Sequence, residues 1–184
     1  MRRRRRPSRA RYALGLAGAL AALVAVQVIP KLDDYTQRMG GSPVEAAAGA
    51  AAGHGGARWR LISLAPSGGE DLPAGTRPVT AVIGVTPAAE SAGKAMAKGC
   101  EAAVRDAAGR VWGRDDGLPG VQGVAQSCLP TGKDNKPLPA RPGVEIVWQA
   151  SFVVPADALS SLRVEIRLAG ADGFVRLAPP AAPA

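Results

Sequence analysis

From residue 59 onward the apolar positions recur with a period of two. Val79, Ala81, Ile83 and Val85 share one face of residues 79–86, and Cys100, Ala102 and Val104 alternate with Glu101, Ala103 and Arg105. The clearest alternation places Val144, Ile146, Trp148, Ala150 and Phe152 opposite Glu145, Gln149 and Ser151. Leu162, Val164, Ile166 and Leu168 are set against Arg163, Glu165 and Arg167 in the same way. Strand geometry collects such residues on one side, whereas a helix would scatter them around a cylinder. Shorter strands are predicted at 59–64, 110–112, 123–128 and 174–177. Asp106-Ala107-Ala108-Gly109 and Asp172-Gly173 carry hairpin-turn chemistry. Six or seven short strands with frequent turns, and no clear soluble helix, predict an all-β fold: an antiparallel β-sandwich over residues 58–178.

The pattern upstream is different. Residues 12–29 carry no charge and follow Arg2, Arg3, Arg4, Arg5, Arg6, Arg9 and Arg11. At about 1.5 Å per residue this span reaches roughly 27 Å, enough for a hydrocarbon core. Pro30, Lys31, Asp33 and Asp34 return the chain to water. A basic flank is retained in the cytoplasm, so residues 1–11 read as a cytoplasmic Arg-rich tail and 12–30 as a transmembrane helix. That places the C-terminal domain outside the plasma membrane. The competing reading is a cleaved signal peptide, but the apolar region is long for one and Ala25-Val26-Gln27 is a poor cleavage site. Gly15/Ala19 and Gly18/Ala22 have the small-xxx-small spacing of helix dimers, a pattern that arises easily in so alanine-rich a span.

Residues 31–57, with the run Ala46-Ala47-Ala48-Gly49-Ala50-Ala51-Ala52-Gly53, hold almost no bulky apolar side chain and read as a flexible spacer. Residues 179–184 read as a disordered tail.

Charge adds little once its position is counted. The net charge is +8, and the seven arginines of residues 1–11 account for all but one of it. Nucleic-acid recognition needs a basic patch on a folded face with stacking aromatics, and aromatics are 4% of the chain. No nucleic-acid partner is expected; the arginines suit anionic inner-leaflet lipid.

Candidate chemistry is sparse. Cys100 and Cys128 lie on the exported side, where an even count favours one disulfide over two buried thiols. His54, the single histidine, sits in Ala-Gly-His-Gly-Gly and reads as a solvated linker residue, a poor place for a general base. Asp115-Asp116-Gly117 and Asp134-Asn135 place oxygen ligands in loops without an EF-hand pattern, so whether they hold calcium stays open. Glu101, Glu145 and Glu165 fall on strand faces opposite the apolar set, where half-exposed carboxylates are routine. No cofactor and no catalytic or metal set is expected. Trp148 belongs to the expected core, and Trp59 is placed to anchor the spacer.

The segments 79–86, Gly99-Cys100-Glu101-Ala102-Ala103-Val104-Arg105-Asp106 with Gly109-Arg110-Val111-Trp112, and Leu138-Pro139-Ala140-Arg141-Pro142-Gly143 leading into 145–155 carry a family likeness. Together with 162–168 they resemble the immunoglobulin-like extracellular domains of uncharacterised actinobacterial cell-envelope proteins, the class that includes secreted immunoprotective antigens. The resemblance implies an immunoglobulin-like sandwich and an envelope location, and it supplies no functional residue. True immunoglobulin domains place the strand tryptophan between the cysteines. Here both cysteines precede Trp148, so the bridge is expected to tie a strand to the long loop 113–142.

The expected function is a membrane-anchored extracytoplasmic binding or assembly module, not an enzyme. Its expected partner is an envelope protein or glycan. Trp112, Arg114, Asp115 and Asp116 form the expected contact loop. The alternative is an exported enzyme acting on envelope polymer through Asp115, Asp116 or Glu145.

Overall fold

The computed structural model describes residues 41–69, 72–130, 132 and 136–181. The tail at 1–11 and the transmembrane segment at 12–30 lie outside the described residues. So do Asp134, Asn135 and residues 182–184 of the expected tail. Among the described residues no helix is long and apolar enough to cross a membrane.

Among the described residues nine strands form two sheets. They are β1 (Pro43–Ala46), β2 (Ala51–His54), β3 (Ala57–Pro66), β4 (Thr76–Pro87), β5 (Cys100–Arg105), β6 (Val111–Gly113), β7 (Ile146–Pro155), β8 (Arg163–Leu168) and β9 (Phe174–Leu177). One sheet runs β1-β9-β8-β5-β6 and the other β2-β3-β4-β7. Both contribute to a single core. Trp59, Ile83, Trp148 and Phe152 from the four-stranded sheet pack with Val104, Val164, Ile166 and Leu177 from the five-stranded one. The expected β-sandwich is therefore present, with Trp148 and Phe152 at its centre and no more than 1% exposed.

Period-two reading located the large strands closely. The faces Val79/Ala81/Ile83/Val85 and Leu162/Val164/Ile166/Leu168 are buried throughout, and β9 occupies the expected 174–177. β5 and β6 pair through the expected Asp106–Gly109 turn, with Gly109 at φ 85°, a left-handed conformation that favours glycine.

Several expectations are corrected. Residues 31–40 of the expected flexible spacer lie outside the described residues, and the rest of it is not a spacer: β1 and β2 are built from its alanine-rich sequence and β3 begins at Ala57. Ala46 of β1, His54 of β2 and Ala57 of β3 are buried. The folded unit thus includes residues 41–57, which were expected to precede it. The sandwich is not wholly antiparallel, since β1 pairs with β9 in parallel, Pro43 opposite Phe174 and Ala46 opposite Leu177. Nor is it free of helix. A seven-residue helix α1 (Glu90–Met96) follows β4, and a 3-10 turn (Ala156–Ser161) joins β7 to β8. With Met96 as its one bulky buried side chain, α1 is too short to show a helical period. Residues 123–128 form no strand and make only an isolated bridge, Ala125 to Trp148. Val144, expected inside, precedes β7 and is 53% exposed.

The largest departure concerns β7. Gln149 and Ser151, expected on a solvent face, are 3% and 7% exposed. The loop between β6 and β7 folds back over them. Gln149 Oε1 accepts from Val121 N (2.5 Å), and its Nε2 donates to Val121 O (2.9 Å) and Val124 O (2.7 Å). Its backbone N donates to Ala125 O at 2.8 Å. A side chain on Gly120 would collide with the Gln149 amide at about 2.5 Å, so this approach requires glycine. Beneath the loop, the Thr80 and Ser151 hydroxyls satisfy one another at 2.9 Å. A disulfide joins Cys100 of β5 to Cys128 in the loop, as the order of cysteines and tryptophan implied.

Gln149→Ala removes three hydrogen bonds and strands loop backbone groups away from water. We expect a loss of about 2–4 kcal/mol, read by urea denaturation, with faster proteolysis within 113–127. Cys100→Ser with Cys128→Ser opens a loop of separation 28. Chain entropy sets that loss at about 3–4 kcal/mol, and the midpoint of thermal unfolding measures it.

Candidate functional site

The four expected contact residues stand together where β6 runs into the long loop. Trp112 is half-buried, with the Arg110 guanidinium 5.3 Å above its ring. Arg114 pairs with Asp116 and donates through Nη1 to Gln126 O at 2.6 Å. Asp115 accepts from Gly117 N at 2.9 Å, closing a tight Asx turn, while its own N donates to Ser151 O at 2.8 Å. The space enclosed by Arg114, Asp115, Asp116, Gln126, Gln149 and Ser151 is about 10 Å³, no more than a water molecule occupies. These residues hold the loop to β7. Their polar groups already serve one another.

The carboxylates considered for catalysis are also engaged. Glu145 receives both Nε and Nη2 of Arg60, at 2.5 and 2.8 Å. That hydrogen-bonded guanidinium holds the Glu145 carboxyl below its ordinary range. A general acid working near neutrality needs the opposite displacement. Among the described residues no group of three or more His, Cys, Asp or Glu side chains is placed to hold a metal ion.

Two features escaped the sequence reading. The first is a neutral groove of about 280 Å³ between the loop tip and the outer face of β3 and β4, walled by Ala65, Pro66, Thr80, Val82, Pro119 and Val121. Among the described residues no charged side chain lines it. Val121 at its rim is 47% exposed, and Leu138 elsewhere on the loop is 48% exposed. No sequence period could have signalled it, because one wall is irregular chain.

The second is a charge ladder across the five-stranded sheet. Glu165 of β8, expected half-exposed, is 2% exposed. It accepts from Arg105 Nε (2.6 Å) on β5 and from Arg176 Nε and Nη2 (2.9 and 2.8 Å) on β9. Arg176 continues to Glu45 of β1 at 2.7 Å, and Glu45 also receives Arg163 at 3.2 Å. A buried carboxylate is tolerated only with such partners. The alternation of arginine and glutamate along β8 was the available signal.

His54 is corrected as well. It ends β2, is 8% exposed, and its backbone carbonyl accepts the Trp59 indole N–H at 3.0 Å. Trp59 thus ties β2 to β3, which is the anchoring role its position suggested. Burial first, and then the nearby positive charge of Arg167, hold the imidazole below its ordinary pKa.

With this geometry in view, comparison with solved structures finds two similar folds. A secreted protein from Mycobacterium tuberculosis, MPT63, is 13% identical with a TM-score of 0.49, over 75% of this chain and 98% of that chain. An uncharacterized beta-sandwich protein from Clostridium difficile is 8% identical with a TM-score of 0.39, over 75% of this chain and 95% of that chain. No protein-family model matches the chain, and no curated protein matches it.

The lowered imidazole pKa has a definite pH consequence. The unfolded chain takes up a proton near pH 6.5 while the native imidazole does not. Stability is therefore full above that pH and declines as pH falls from about 6.5 toward the lowered native value. Wild type should lose more in Tm between pH 7 and pH 5 than His54→Gln, because only wild type has an imidazole that the unfolded chain protonates and the native state does not. Thermal melts followed by circular dichroism test this, and equal losses in the two proteins would refute it.

Proposed function

We propose that this chain is a membrane-anchored, extracytoplasmic binding module that presents the loop 113–142 and its neighbouring groove to an envelope protein. The observation that carries the reading is a fixed loop with an apolar rim. Gln149 and the Cys100–Cys128 bridge fasten it to the two sheets, yet Val121 and Leu138 stay exposed. The stretch 121–128, held by these bonds, loses little conformational freedom on association, so its contacts are offset less by ordering cost. The neutral groove suits an uncharged peptide segment better than an acidic glycan. Trp112, Arg114, Asp115 and Asp116 act as the support of this surface.

The anchor at 12–30 and the outward orientation rest on the uncharged span and the arginines before it. The competing enzymatic reading loses support because Asp115, Asp116 and Glu145 are each committed to a turn or an ion pair.

A photo-crosslinking residue at Val121 in intact envelopes should capture a discrete protein adduct, and one at Val44, equally exposed but distant in sequence, should not. Val121→Asp, which leaves every backbone bond to Gln149 in place, should reduce recovery of that partner at least tenfold. Unchanged recovery refutes the groove as the contact surface. A reporter fused after Ala184 that is active only outside the membrane should be active; a full-length but inactive fusion refutes the topology.

A further inference from the structure

Arg105, the last residue of β5, and Arg163, the first of β8, stand directly opposite one another in register. Like charges in that relation destabilise a strand pair, so the sheet gains nothing from the second arginine. Arg105 has its partners in Glu165 and in Gly109 O, at 2.9 Å. Arg176 has Glu165 and Glu45. Arg163 differs. It reaches Glu45 through Nη1 alone, at 3.2 Å, and its side chain is 53% exposed. Its Nε and Nη2 make no hydrogen bond within the described residues.

These arginines open onto a cleft of about 520 Å³, within the roughly 300–1,000 Å³ of ordinary small-ligand sites. The hairpin turn after β5 forms one wall, Ser160 and Ser161 at the end of the 3-10 turn a second, and Ala178 and Pro179 after β9 a third. The acid in the wall, Asp106, already has its partner. Its side chain is 2% exposed and is held by Arg110 N and Nε at 2.8 and 2.7 Å. Ser161 is occupied, donating to Ala158 O and accepting from Ala107 N. Ser160 is not occupied within the described residues. Along the ladder three guanidinium groups face two carboxylates, Glu45 and Glu165, while at the adjoining turn Arg110 is shared between Asp106 and Asp157.

We propose that this cleft binds the phosphate group of a small organic phosphate monoester. The free edge of Arg163 offers two parallel N–H donors in the spacing that matches two oxygens of a tetrahedral oxyanion. The Ser160 hydroxyl supplies a third donor, and the apolar Ala178 and Pro179 receive the organic part. Bound phosphate also relieves the opposition of Arg105 and Arg163. The same chemistry is presented by a glycerol phosphate and by a sugar phosphate, and the size of the cleft admits either. This site shares no residue with the groove at Val121, so the two assignments stand or fall separately.

The test uses the full chain in an uncharged detergent, titrated with sn-glycerol 3-phosphate, glucose 1-phosphate and inorganic phosphate. It is followed by calorimetry and by amide resonances. Saturable binding of at least one ester is expected, with shifts at Ala107, Gly109, Ser160, Arg163 and Ala178. The ester that binds more tightly identifies the organic body. Arg163→Gln should weaken binding at least tenfold and Ser160→Ala about threefold, each with an unchanged Tm, while Arg163→Lys recovers part of the loss. Val121→Asp should bind the ester as wild type does. Failure of both esters to saturate, saturation by inorganic phosphate alone, equal affinity in Arg163→Gln, or shifts confined to other residues would each overturn the assignment.

Discussion

The arrangement of this domain depends on one buried amide. Gln149 lies in the middle of β7, on the side turned away from the core, where a strand of a two-layered sandwich ordinarily meets water. Burying a primary amide without partners costs several kcal/mol. Here its oxygen and nitrogen meet three backbone groups of residues 121–124, and its own amide N–H meets Ala125 O. The exchange works in both directions. Irregular chain carries backbone donors and acceptors that must also be satisfied, and Gln149 supplies them with something close to a neighbouring strand. A long connection that would otherwise be loose becomes a third layer over the four-stranded sheet. The disulfide fastens the same segment to β5, in the other sheet. One loop is thereby referenced to both layers, which gives its exposed residues a fixed position.

The charge ladder plays the corresponding part on the five-stranded sheet. Glu165 is nearly inaccessible, and its two arginines come from the strands on either side. Such a buried set adds little net stability over an apolar equivalent, but loss of one partner would leave a charge without compensation. Its stronger effect is on register. A one-residue slip of β9 against β8 would turn Arg176 toward the core and Val175 outward, so carboxylate and guanidinium specify the pairing from outside while Val164 and Ile166 specify it from within.

How far the chain could be read in advance follows from these facts. Long alternating runs such as 79–85 and 162–168 fill one face with aliphatic side chains, and period alone identified them. The edge strands β1 and β2 were hidden because Ala51-Ala52-Gly53 has no bulk to alternate; their burial comes from neighbours. Gln149 was read as solvent-facing because periodicity assigns a residue to a side of the sheet without saying what covers that side. Glu165 was misjudged for the same reason, since Arg105 and Arg176 of the flanking strands close on it. The bridge and its attachment to the loop were legible, since the order Cys100, Cys128, Trp148 is a topological fact. The expected contact residues Arg114 and Asp115 bond back to the chain, to Gln126 O and Ser151 O, a use that the sequence pattern does not show. The neutral groove and the phosphate cleft each combine segments far apart in sequence, a relation no local pattern contains.

The parallel pairing of β1 with β9 has a mechanical consequence. Tension between the two ends of the folded unit pulls Pro43 one way and Leu177 the other, along the strand axis. Both strands point in the same direction, so the bonds between them are loaded together in shear and do not open one at a time like a zipper. A domain tethered at its amino end and tugged from its far end would resist through the very strands that look weakest in composition.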